Sequence, residues 1–269
     1  MLSRLALLLV LPLLVQIESY AEAAFHDRDF SDARDPGSLL SLRLAGVPFF
    51  PVLAFQVEDK TANNSRFKRE IGSDYALRIL KTANENTAAI LGPKSVRKVY
   101  GVMKLTVESI RGRQESPVVS IVTGKHIRLD SDYLETFPGD VKFEFSGILL
   151  YDCASIWEWT GSDTAPIWLL SGIADYVRLK AGWPSATWPM RGSGTGATDG
   201  YEVTAYFLEY CSITRSGFVA ELNSMMKESY SNNYFTKLLG KSIAELWGEY
   251  KKAYGKGVPP AAASRGKGQ

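Results

Sequence analysis

Apolar residues recur along this chain at two different spacings, and the changeover near residue 139 divides it into a sheet-bearing part and a helical part. Val47 to Val57, with Pro48 and Pro51 early and Leu53-Ala54-Phe55-Gln56-Val57 after them, reads as a first strand, followed by a polar turn from Asp59 to Ser65. From Phe67 to Leu91 the apolar positions Ile71, Tyr75, Leu77, Ile79, Leu80 and Ile90 keep helical spacing, and Gly92-Pro93 stops the run. Val96 to Ile110 returns to alternation with β-branched residues (Val96, Val99, Val102, Leu105, Val107, Ile110). Val118 to Val122 and His126 to Leu129 flank Thr123-Gly124-Lys125, a hairpin signal. A small mixed or antiparallel sheet with one helix against it follows.

Beyond Pro138-Gly139 the helical period takes over. Asp140 is placed to cap a helix running to about Trp159, and a second runs from Ile167 to Ala181, ended by Gly182 and Pro184. Residues 183–200, rich in Gly, Trp and Pro, predict a long loop, and helices are expected near 200–213, 216–229, 232–240 and 242–254. No solenoid-length repeat is visible, and the fold class is α+β.

The chain ends add a destination. Arg4, the apolar run Leu5 to Val15 and the small-x-small triplet Ala21-Glu22-Ala23 form an export signal, too short for a membrane span. The expected organisation is a signal at 1–23, one domain at 24–255 and a disordered tail at 256–269, in a protein secreted to the extracellular space. Loss of 1–23 removes one cation and two anions from a net charge of +2, leaving a mildly basic chain whose charges are evenly spread. Nucleic acid is excluded as a partner on that ground; loose attraction to acidic polysaccharide is compatible. Asn63-Asn64-Ser65 is an N-glycosylation acceptor, relevant because export is expected. The two cysteines, Cys153 and Cys211, do not make a disulfide scaffold. An oxidising compartment allows them to pair, but two buried thiols are the favoured reading.

Candidate chemistry centres on Tyr151-Asp152-Cys153-Ala154-Ser155. Residues four apart share a helix face, so this frame is the one in which two histidines and a glutamate make a zinc peptidase site. Here the two imidazole positions hold a phenol and a hydroxyl. Histidine is scarce throughout: only His26 and His126 occur.

The stretch from Asp140 to Tyr254 resembles the plant basic secretory protein family, a branch of the zinc metallopeptidases. The resemblance is carried by Gly139-Asp140-Val141-Lys142, Gly147-Ile148-Leu149, Ile156-Trp157-Glu158-Trp159 and Gly172 to Gly182. It continues through Gly200-Tyr201, Phe207 to Cys211, Gly217 to Asn223, Leu238 to Lys241 and Leu246-Trp247. It implies a zincin-like fold, a zinc cofactor and a link to plant defence. Carried over residue by residue, the family's first ligand histidine falls on Tyr151, its glutamate base on Asp152, its second histidine on Ser155 and its third ligand on Ser171. A carboxylate fitted to orient a ligand from behind is kept as Asp175.

Three altered ligand positions leave zinc without the imidazoles and carboxylate it needs, and the attacking water without activation. Calcium would want six or more oxygens, which Asp152 and Asp175 with nearby hydroxyls do not supply. Ser155 or Ser171 as nucleophile would need His126 as base; the plainer reading is small residues filling vacated space. Cys153 lies two positions from Tyr151, off the cleft face and towards the helix of Cys211. Trp157 and Trp159 read as core, Trp183 and Trp188 as exposed rings suited to sugar faces, and Tyr201 as a cleft residue. The expected function is a secreted, catalytically inactive peptidase-like protein, defence-linked through binding of peptide, protein or cell-wall glycan. The alternative is an active secreted hydrolase with an unrecognised metal or nucleophile.

Overall fold

The computed structural model describes residues 53–92, 101–110 and 118–255. The expected signal at 1–23, His26, the strand start at Val47, Val96, Val99 and the tail from Lys256 lie outside the described residues.

Among the described residues four strands form one mixed sheet: β1 (Leu53–Asp59), β2 (Gly101–Glu108), β3 (Ser120–Thr123) and β4 (His126–Asp130), in the order β1-β2-β4-β3. β1, β2 and β4 are mutually parallel, while β3 pairs antiparallel with β4 at the edge. Thr123 faces His126 across the hairpin, and Gly124 supplies the positive φ of 61° that the two-residue turn requires. Alternation sorts the two faces. Met103, Leu105, Val107, Ile127 and Leu129 are fully buried, whereas Lys104, Glu108 and Arg128 on the other face join Glu58 and Lys60 in ion pairs.

The helix expected over 67–91 is two pieces: a π-helical segment, Phe67–Ile71, and α1, Ser73–Leu91. Gly72 separates them at φ 76°, its amide bonding back to the Phe67 carbonyl, so the hydrophobic rhythm continues while the backbone does not. α1 buries Ala76, Ile79, Leu80, Ala83 and Leu91 and packs on β1 and on α3.

After the short α2 (Ser131–Thr136) comes α3 (Val141–Trp157), capped by Asp140, whose carboxylate accepts from the Phe143 amide at 3.0 Å. α3 is buried on nearly every side and forms the centre of the molecule. α4 (Ile167–Lys180) packs between it and α5 (Tyr201–Thr214). Gly172 permits the α4–α5 approach, because a Cβ there would sit 2.3 Å from Thr204 Cγ2. α6 (Phe218–Met225), α7 (Asn233–Leu239) and α8 (Ile243–Tyr254) complete the helical part around Phe207, Phe218, Phe235 and Tyr250.

The loop before α5 is tied to α8. Gly192 N donates to the Tyr250 hydroxyl at 2.7 Å, Lys251 Nζ donates to the Gly192 and Gly194 carbonyls, and Trp247 Nε1 donates to the Thr195 carbonyl. Among the described residues no helix is long and apolar enough to cross a membrane. The architecture is α+β, with a small mixed sheet and a mostly helical remainder.

Candidate functional site

α3 and α4 run antiparallel: the Cβ position of Gly147 falls against Arg178, while Tyr151 meets Ser171. Tyr151 and Ser155 lie one turn apart on a half-open stretch of α3. The Ser155 hydroxyl donates back to the Tyr151 carbonyl at 3.2 Å, and the Ser171 hydroxyl hydrogen-bonds the Tyr151 phenol. The three positions singled out in the sequence therefore converge. Burial lifts the phenol well above its ordinary range, and the charges of Asp175, Glu158 and Asp152 add to that against the Ser171 bond. Tyr151 is held as a neutral phenol.

Two buried carboxyls flank this cluster. Asp152 turns under the edge strand, where its Oδ1 accepts from Ser120 Oγ at 2.8 Å and its Oδ2 has no partner among the described residues. Burial raises it to about 7, against the Ser120 bond and the more distant Arg178. Asp175, one turn beyond Ser171, is buried and makes no hydrogen bond to a described residue. Burial raises it to about 8; Arg178 opposes the shift, and Glu202 and Glu144 add to it.

The donor set does not suit zinc. A protonated phenol and two hydroxyls, each committed to hydrogen bonds within the protein, replace the imidazole, thiolate and carboxylate donors that hold this ion. Among the described residues no group of three or more His, Cys, Asp or Glu is placed to hold a metal.

Several expected placements are corrected. His126 belongs to the sheet face opposite Ile127 and Leu129, where its Nε2 is 2.9 Å from Thr106 Oγ1 and Lys104 and Arg128 are its charged neighbours. Strand alternation sends it away from the helices, so it does not serve Ser155 or Ser171 as a base. Trp183, expected to be exposed, is 5% exposed, packed beside Phe143 with its carbonyl accepting from Arg178 Nε. Trp188 is half-buried, edge-on to Tyr206 and under the Arg178 guanidinium. Arg178 thus meets the Trp188 ring and the Trp183 backbone, a role that the loop's irregular sequence does not reveal.

Tyr201, the first residue of α5, is 43% exposed. Trp157 is core, donating to Asn84 Oδ1, and Trp159 is half-buried. Cys153 and Cys211 are buried free thiols, and the polar neighbour of Cys153 is Asn84 of α1, not the helix of Cys211 that its spacing suggested. Asn63 is exposed. No local pattern signals the Ser120–Asp152 contact, which only the folding of β3 onto α3 creates.

A model of the BSP family, described as peptidase of plants and bacteria, matches residues 50–250. The chain belongs to this family. A basic secretory protease of Boswellia serrata is 39% identical over 57 residues, which are 21% of this chain and 64% of that protein. The match thus spans just under two thirds of the curated relative's length. No solved structure matches. In this BSP chain Gly147 lets α3 approach Arg178 of α4, and Gly172 lets α4 approach Thr204 of α5.

Proposed function

We propose that this BSP chain is a secreted pseudopeptidase: a zincin-like scaffold that neither holds zinc nor hydrolyses peptides and acts by binding in the extracellular space, in a defence-linked role. One observation carries the reading. The Tyr151 phenol, closed onto Ser171, fills the point where α3 and α4 bring the family's ligand positions together. A neutral phenol neither ligates zinc well nor activates water. Asp152, in the base position, is engaged by Ser120, and its raised pKa keeps a large share of it protonated near neutrality.

Binding is supported by the sheet. β3 is the last strand in the sheet order, its second side not used by another strand among the described residues, and it lies against α3. An extended peptide recognises such an edge through backbone hydrogen bonds. A peptide or protein partner fits this better than a cell-wall glycan, because Trp183 and Trp188 are packed rather than presented. The export signal in the sequence and the secretory name of the relative support an extracellular destination. An active hydrolase built on Ser155 or Ser171 finds no histidine base among the described residues, since His126 faces away. Elemental analysis of the full chain after mild purification, with a peptidase assay across supplied metals, tests the proposal. About one zinc per chain, or zinc-dependent cleavage, would overturn it.

A further inference from the structure

The turn between β1 and the π-helical segment holds Asn63-Asn64-Ser65, and its three side chains are treated very differently. Asn63 is exposed, and its only hydrogen bond among the described residues is from Lys68 Nζ to its Oδ1 at 3.3 Å, also exposed. The amide nitrogen is free. Asn64 is exposed as well. Ser65 is 6% exposed; its hydroxyl lies 2.6 Å from Thr61 Oγ1 and accepts from the Lys68 amide at 3.2 Å, closing the first turn of the π-helical segment.

We infer that Asn63 carries an N-linked oligosaccharide, and that it is attached before this turn folds. The inference rests on the export reading above. The acceptor motif demands a hydroxyl at its third position, so the transferring enzyme must read that hydroxyl. In the folded turn the hydroxyl is committed to Thr61 and Lys68, and only the unfolded segment presents Asn63 and Ser65 together. In the transfer, the Asn63 amide nitrogen bonds to the anomeric carbon of a lipid-diphosphate-linked oligosaccharide. The carbon–oxygen bond to the diphosphate breaks, the lipid diphosphate leaves, and one proton leaves the nitrogen. No redox partner is involved.

The finished fold accommodates the product. Replacing an amide hydrogen on Asn63 costs no buried contact, and the Lys68 bond goes to the oxygen, which stays. The turn also lies clear of the α3–α4 cluster. Arg66 donates to the Phe137 and Gly139 carbonyls, which fixes the turn at the start of α3, and Tyr151 is ten residues further on, roughly 15 Å along the helix. A glycan here leaves a peptide on β3 or at Tyr151 unobstructed.

The test is secretion of the full chain from a eukaryotic cell, followed by peptide N-glycosidase and mass spectrometry. One oligosaccharide is expected, with Asn63 converted to Asp on release. It should vanish in Asn63→Gln and in Ser65→Ala and persist in Ser65→Thr. Unmodified Asn63 in the secreted chain overturns the site. If the chain stays inside the cell, residues 1–23 are exchanged for a proven export signal. Modification then sustains the site while the export reading fails, and its absence overturns the site as well. For the order of events, chain made without glycan is offered to microsomal membranes folded and in urea-unfolded form. Modification confined to the unfolded form is expected, and equal modification of both overturns the claim that attachment comes first.

Discussion

The antiparallel pair α3–α4 buries charge at two places, and the two are finished to different standards. Near the start of α3 and the end of α4, Glu144 meets Arg178 at 2.7 Å with both side chains inaccessible. Every neighbour contributes there. Tyr133 donates to Glu144 Oε1, Arg178 Nε donates to the Trp183 carbonyl, and the guanidinium lies over Trp188. A turn or two away, neither one oxygen of Asp152 nor Asp175 has a hydrogen-bond partner among the described residues. Buried polar groups normally find partners, and those that do not are characteristic of functional sites. The first place is architecture. The second sets two buried carboxyls beside a neutral phenol.

The sharpest way to break this contrast is at its finished end. Arg178→Met should destabilise the protein by about 3–5 kcal/mol in urea unfolding, since it leaves Glu144 buried and unpaired. Adding Glu144→Gln to it should recover much of that loss. A small single-variant loss with no recovery would mean that the pair does not organise the α3–α4 end.

At the other end the comparison can be reversed. Tyr151→His, Asp152→Glu, Ser155→His and Ser171→Glu together should create a zinc site, with Asp175 beside it to orient an imidazole. Unfolding would then depend on zinc, with a gain of about 2.7 kcal/mol at a hundredfold excess over Kd. If the variant folds and takes up no zinc at micromolar supply, the three positions do not converge as described.

The unfinished end should also show in the pH dependence. Asp152 and Asp175 are raised from 3.8 to about 7 and about 8, so the folded state holds protons that the unfolded state has released. Their favourable contribution is complete below the unfolded value, declines as pH rises and is gone above about 8. At about 1.4 kcal/mol per unit for each group, the expected loss between roughly pH 5 and pH 8 is several kcal/mol. Asp175→Asn should flatten the upper part of that slope, and an unchanged slope would contradict the burial of this carboxyl as the cause. The smallest effect is expected at Tyr151→Phe. Losing one hydrogen bond at a half-open position should change stability by about 1 kcal/mol or less in thermal unfolding.

Much of this was legible in the chain. Asp140 announced the start of α3, and Gly182 and Pro184 marked the end of α4. The shared helix face of 151 and 155 followed from helical period, whereas the place of 171 opposite them came only from the family resemblance. Gly72 illustrates a limit: a residue that interrupts the backbone without interrupting the hydrophobic rhythm is invisible to a periodicity reading. Trp183 and Trp188 illustrate another. Their loop has no period, and their burial comes from tertiary contacts, Phe143 on the Trp183 ring and Arg178 on the Trp188 ring. His126 was readable. Its alternation with Ile127 and Leu129 already assigned it to the far face of the sheet.

The bonds between α8 and the loop at 192–195 also constrain how the molecule is made. The Tyr250 hydroxyl that receives the Gly192 amide is 58 residues downstream of it. During synthesis, the stretch leading into α5 therefore emerges and waits several seconds, at roughly 5–20 residues per second, before the groups that fix it exist. Until then the Gly192 and Gly194 carbonyls and the Arg191 end of the loop must be solvated or shielded by another molecule. The aromatic ring cluster of Phe207, Trp247 and Tyr250 closes only with that late arrival, which makes the helical half a unit assembled from its far end.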